Sequence, residues 1–269
     1  MDDVSNSRRI IPYALIGMTA VSGFVMMGLR MPDLGWPLLV TTLGLTFLSR
    51  HPIRRHLPLV IASLALVALT PINTNVSVSH MLFMGAMIAL AVAIPYFVTS
   101  KLYHEHIIRF PILSGRSWYK KEIVYIIFTA LVAYFLLPFY LRSTGSYHNW
   151  SVYPGAANLT RLFIGTNGLG LWDELFFVTT VLAVFRFYLP FWWANIAQAV
   201  LWTSFLYELG FRGWGPVAIF VFALLQGQIF RRTGSLLYIV TIHLTLDFVL
   251  YLALVHAYYP QWLPIFIVH

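Results

Sequence analysis

Long stretches of this chain carry no charged side chain, among them Ile10–Gly28, Leu57–His80 and Met81–Ser100. Each reaches the roughly 20 apolar residues that cross a hydrocarbon core about 30 Å thick. In that medium the backbone must satisfy its own hydrogen bonds, which leaves helices and closed barrels. A barrel would read as short alternating strands; these runs are continuous and predict helices. Composition agrees, since 59% of the 269 residues are hydrophobic and 10% charged, against about 25% charged in soluble domains. The expected fold class is all-α, a polytopic transmembrane helical bundle of about eight to nine spanning segments. A soluble domain, a disordered tail and a nucleic-acid-binding protein are excluded.

Apolar segments are read at roughly 11–29, 35–48, 57–73, 81–99, 123–141, 168–188, 192–210, 216–230 and 236–258. The second and eighth, about 14–15 residues each, are short enough to be tilted or re-entrant. The net charge of +8 is read through topology. With a cytoplasmic N-terminus and nine crossings, 13 of the 17 Lys and Arg fall inside and 4 outside (Arg30, Arg142, Arg161 and Arg212). The inside set includes Arg8, Arg9, Arg54, Arg55, Arg109, Arg116, Arg186, Arg231 and Arg232, the sense expected for cytoplasmic loops. Arg8 and Arg9 before a spanning run read as a retained signal-anchor. The expected location is an integral membrane protein, of a bacterial cytoplasmic membrane. The tail Tyr259–His269 is expected to rest at the interface.

The glycine-, serine- and proline-containing stretch Arg142–Leu159 suggests a division near residue 150. Residues 1–150 would supply about five helices facing lipid or partners. Residues 151–269 would form a core with a buried polar site. Membrane lipids are the expected surroundings, and the absence of cysteine removes disulfides and thiolate metal sites.

The nine acidic residues are unevenly placed. Asp2, Asp3, Asp33, Glu105 and Glu122 lie in loops or at membrane edges. Asp173, Glu174, Glu208 and Asp247 fall within apolar runs of the last third, where a carboxylate costs at least about 2.5–3.5 kcal/mol on insertion scales. Four such groups predict an interior polar site. His243 lies well inside a span and is four residues from Asp247, on the same helical face. Gln226 and Gln228 add amides nearby. Interhelical hydrogen bonding alone is the structural alternative. His104-Glu105-His106 resembles a metal cluster but opens a basic loop. No His-Glu-x-x-His zinc motif is present. Counting along the spans sets Glu174 and Glu208 toward the outer side and His243 toward the inner, a vertical gap of about 10 Å.

The segments Trp172–Val178, Thr203–Gly210 and Gln228–Asp247 (QIFRRTGSLLYIVTIHLTLD) resemble the CPBP family, the CAAX-protease and bacteriocin-processing intramembrane endopeptidases. The resemblance covers about residues 168–250. The family's Glu-Glu-x-x-x-Arg becomes Asp173-Glu174-x-x-x-Val178. Glu208 stands about where the histidine of Phe-x-x-x-His would be, and His-x-x-x-Asn/Asp is intact as His243 and Asp247. The resemblance implies hydrolysis of a peptide bond in a membrane-protein or lipidated-peptide substrate. Glu174 would activate water, His243 would orient it or meet the oxyanion, Asp247 would hold the imidazole, and Asp173 and Glu208 would complete the site. No cofactor is implied, although the same side chains would accept a divalent cation as an alternative. The other readings are a catalytically inactive scaffold on the same fold and a proton-coupled or lipid-handling carrier.

Overall fold

The computed structural model describes residues 2–113, 115 and 117–267. Arg116 of the basic loop and the last two residues of the tail lie outside the described residues. Among the described residues the regular structure is helical throughout. The elements are α1 (Asp2–Gly23), α2 (Pro32–Leu48), α3 (Leu57–Leu69), α4 (Val78–Phe97), α5 (Lys120–Thr144), α6 (Ala156–Asp173), α7 (Leu182–Tyr188), α8 (Phe191–Leu209), α9 (Gly215–Thr233) and α10 (Leu236–Tyr258). A π-helical stretch, Glu174–Val181, joins α6 to α7, so that Ala156–Tyr188 is one continuous helix of 33 residues.

Five helical stretches have the length and apolar composition to cross a membrane: Ile10–Gly28, Val78–Leu102, Lys120–Thr144, Ala156–Tyr188 and Leu236–Tyr258. The chain is an integral membrane protein with a helical bundle fold. α2 and α3 are shorter, at 17 and 13 residues. α8 and α9 have 19 residues each but carry polar side chains, among them Asn195, Gln198, Gln226 and Arg231. The eighth apolar segment is therefore longer than its sequence pattern suggests, running unbroken over Gly215–Thr233.

Ala156–Tyr188 and α10 form the interior together with α8, most of whose residues are buried. The best apolar windows of Ala156–Tyr188 and Leu236–Tyr258 are 72% and 61% buried, against 22% for those of Val78–Leu102 and Lys120–Thr144. α10 packs between α5 and α6, α8 packs on α9 and α1, and α3 packs on α4. The Arg142–Leu159 connection is more than a linker. Thr74 donates to the Asn149 carbonyl, the Asn149 amide donates to Gly210, and Tyr258 donates to Trp150. Trp150 is itself buried.

The turn that aims α10 into the core follows from Thr233-Gly234-Ser235. Gly234 takes the left-handed conformation that closes a helix (φ 61°). One residue later the Ser235 hydroxyl accepts from the Tyr238 amide as an N-cap. The next free amides, Leu236 and Leu237, donate to the carbonyls of Pro111 and Ile112 in the connection between α4 and α5. That connection is anchored in turn through Glu105, which pairs with Arg55 at 2.8 Å and with the buried His56 at 2.6 Å, while His56 also bonds Tyr188. Burial holds the His56 pKa below the usual imidazole range despite the adjacent carboxylate. Glu105 is thus part of an ion-pair latch rather than of a metal cluster with His104 and His106.

Close approach of α8 and α9 depends on Gly227. Asn195 and Gln198 of α8, both fully buried, donate to the carbonyls of Leu224 and Ala223 on α9. A methyl group on Gly227 would stand 2.0 Å from Asn195 Oδ1. Gly17, in α1, has no such neighbour within 4 Å. Gly227→Ala is expected to lower stability by about 1–3 kcal/mol. Gly17→Ala is expected to be neutral or to gain up to about 1 kcal/mol from helix propensity. Unfolding of the two variants in neutral detergent, followed by circular dichroism, checks the opposite signs.

Candidate active site

Four of the five candidate residues meet at one point. Asp173 closes α6, Glu174 opens the π-helical stretch, and His243 and Asp247 lie one turn apart on α10. Glu174 Oε1 accepts from His243 Nδ1 at 2.9 Å and from Gln226 Nε2, on α9, at 2.7 Å. The other side of the ring faces two carboxylates: His243 Nε2 stands 3.9 Å from Asp173 Oδ2 and 3.8 Å from Asp247 Oδ1. All of these residues are buried, Glu174 and Gln226 completely.

The expected 10 Å gap between Glu174 and His243 is corrected by this geometry. Its cause is the start of the long helix. The apolar pattern begins near residue 168, but the helix begins at Ala156, so Glu174 sits in its middle. The widened turns of the π-helical stretch then adjust the register: Leu182 donates to the carbonyl of Phe177, five residues back. Gln226 and His243 reach a common depth because each lies seven residues from its end of the tight α9–α10 turn.

Glu208 is placed elsewhere, against expectation. It lies one residue before the end of α8 and pairs with Arg30, Oε2 to Nε 3.1 Å. A carboxylate close to a helix end can reach a cation at the bundle's edge and has no need of the core. The side of His243 nearest α8 is taken instead by Trp202, whose ring lies 5.5 Å from the imidazole. Trp202 stacks on Phe177, and Trp172 stacks on Phe176, so aromatic rings wall one side of the cluster.

Two contributors escape sequence reasoning. Gln226 is visible as a polar residue but not as the second donor to Glu174. Gly170 has no polar atom to attract notice, yet a methyl group there would stand 1.8 Å from Asp247 Oδ2 and 3.1 Å from His243 Cδ2. Its usable signal is position, one helical turn before Glu174 and four residues after the small Thr166, the small-x-x-x-small spacing that lets membrane helices approach.

Asp173, Asp247, His243 and Gly170 line a cavity of about 610 Å³ whose other walls are apolar side chains of α5, α8, α9 and α10. Its lining reaches the surface of the bundle at Phe128 and Val221, both exposed, on α5 and α9. Glu174 does not line it. Within the buried cluster one oxygen each of Asp173, Glu174 and Asp247 has no hydrogen-bond partner. Buried polar atoms of this kind are rare and concentrate where chemistry needs them. Among the described residues no group of three or more His, Asp or Glu has the arrangement of a metal site.

Fold and site together define a polytopic helical membrane protein with a buried acid–imidazole cluster opening onto an apolar cavity. Residues 154–249, about a third of the chain and the part that holds every member of the cluster, match the Rce1-like family, described as Type II CAAX prenyl endopeptidase Rce1-like. This bears out the resemblance to the CPBP and CAAX-protease family. No curated protein and no solved structure matches the chain.

Gly170→Ala is expected to displace Asp247 and to cost about 1–3 kcal/mol of stability as an overpacked interface. Gly168→Ala, with nothing within 4 Å of the added methyl, is expected to be neutral or to gain up to about 1 kcal/mol from helix propensity. Thermal unfolding of both variants in the same detergent is the check.

Proposed function

We propose that the protein is an intramembrane endopeptidase that hydrolyses a peptide bond of a membrane-associated or lipidated substrate. One observation carries this reading: three carboxylates surround a single imidazole, and two of them face a cavity with apolar walls reaching the surface of the bundle. A lipidated chain would enter between α5 and α9 without leaving the hydrocarbon phase. Its scissile bond would arrive beside Asp173, Asp247 and His243.

In this reading the residues have different tasks. Glu174 is a positioning residue, because its bonded oxygen is held by His243 and Gln226 and it lies off the cavity. It fixes the ring with Nδ1–H inward and Nε2 toward the cavity-facing aspartates. Asp173 and Asp247 are the two carboxylates that face the cavity, and the reaction uses one of them ionised. The ionised member takes a proton from water as the water oxygen bonds to the carbonyl carbon. His243 Nε2–H donates to the developing oxyanion. When the carbon–nitrogen bond breaks, the carboxyl group returns the proton to the leaving amine. The separations of 3.8–3.9 Å from Nε2 to the carboxylates exceed hydrogen-bond length and leave the ring free to meet the oxyanion. This assigns the base to the cavity-facing aspartates, where the family pattern assigns it to the motif glutamate.

A second reading, a non-catalytic scaffold on the same fold, is favoured by Trp202, which packs against His243, and by the engagement of Glu208 with Arg30. The two readings separate in a cleavage assay with the full chain reconstituted in liposomes and a farnesylated peptide ending in a CAAX sequence. Catalysis predicts turnover that falls at least about 100-fold in His243→Gln and in the double variant Asp173→Asn/Asp247→Asn. Glu208→Gln is expected to retain it. Absence of turnover in the folded parent with this peptide and with a non-prenylated transmembrane peptide would favour the scaffold.

A further inference from the structure

A second cavity, of about 370 Å³, lies at the end of the bundle that carries the α9–α10 turn, and three arginines line it: Arg109, Arg186 and Arg231. They come from three separate parts of the chain, the α4–α5 connection, α7 and α9. Two of them are held by one ring. Arg231 Cζ lies 4.5 Å from the centre of Phe191, and Arg186 Cζ lies 5.8 Å from it. Stacking on a common aromatic ring brings two like charges together that would otherwise separate. Arg109 is tied by Nε to the carbonyl of His106 at 2.8 Å, which leaves its two terminal nitrogens available. Among the described residues none of the three makes an ion pair with a carboxylate, and no acidic residue lines the cavity. Behind the guanidinium groups the walls are apolar, formed by Val178, Leu182 and Phe230 among others.

Three uncompensated guanidinium groups around one concavity are complementary to an anion. The planar fork of arginine, in threefold array, fits the oxygens of a phosphate group better than a single carboxylate. The apolar floor behind the charges suits a ligand with a hydrocarbon part, and basic pockets between membrane helices are a recurrent form of lipid-headgroup site. We infer that Arg109, Arg186 and Arg231 form a binding site for a phosphate group, carried by an anionic phospholipid or free in solution. The site is separate from the acid–imidazole cluster and stands whether or not the protein is a peptidase.

The test uses the full chain, delipidated in neutral detergent. Thermal unfolding is followed during titration with dihexanoyl-phosphatidylglycerol, dihexanoyl-phosphatidylcholine and inorganic phosphate. Saturable stabilisation by phosphatidylglycerol but not phosphatidylcholine is expected. Apparent affinity should weaken at least about ten-fold in R186Q/R231Q. R232Q, which alters a neighbouring exposed arginine outside the cavity, should titrate as the parent does. Stabilisation by inorganic phosphate at similar concentrations would identify a soluble phosphate as the source. If R186Q/R231Q fails to fold, R109Q in the α4–α5 connection serves in its place, with weaker binding expected. Identical titrations of parent and variant, or equal stabilisation by phosphatidylcholine, would overturn the site.

Discussion

The hydrogen bond between Glu174 and His243 is the interaction on which the interior depends. A carboxylate that is fully buried in a membrane bundle has to be compensated locally. Here the imidazole of α10 and the amide of α9 meet the same oxygen, which ties the long helix Ala156–Tyr188 to both neighbours at once. The rest of the local architecture serves this junction. Gly170 admits Asp247 to the face of α6, the Gly234–Ser235 turn sets α9 and α10 at equal depth, and the carbonyls of Pro111 and Ile112 cap the start of α10. Exchanging any of these for bulk would separate groups that the hydrocarbon surroundings would leave unpaired.

Much of this was legible in the residues. The bundle follows from charge-free runs of spanning length, and Asp173, Glu174, His243 and Asp247 stand out because ionisable groups are rare in such runs. What failed was depth. Apolar periodicity marks where a helix enters hydrocarbon, and the helix containing Glu174 begins twelve residues before that pattern, at Ala156. Glu208 failed for a related reason. Its position in an apolar run suggested the interior, but near the end of α8 it reaches Arg30 at the edge of the bundle. Trp202 acts through shape, which a single sequence does not display, and Gly170 is marked only by its small-x-x-x-small spacing from Thr166.

The acid–imidazole cavity and the arginine-lined cavity differ in chemistry. One presents carboxylates and an imidazole to a largely apolar cavity. The other presents three guanidinium groups over an apolar floor at one end of the same helices. The π-helical stretch Glu174–Val181 contributes to both regions, with Glu174 in the cluster and Val178 and Thr179 lining the arginine cavity. Stretches of this kind recur where a helix must present side chains at angles a regular α-helix does not allow.

The most direct test of the account is a double-mutant cycle between Glu174→Leu and His243→Leu. Unfolding free energies of parent, single and double variants would be measured in one detergent. The account predicts a coupling of at least about 1 kcal/mol, because either change leaves the other group buried without its partner. Additivity within about 0.3–0.5 kcal/mol would contradict it, since the carboxylate and the imidazole would then be independent of one another.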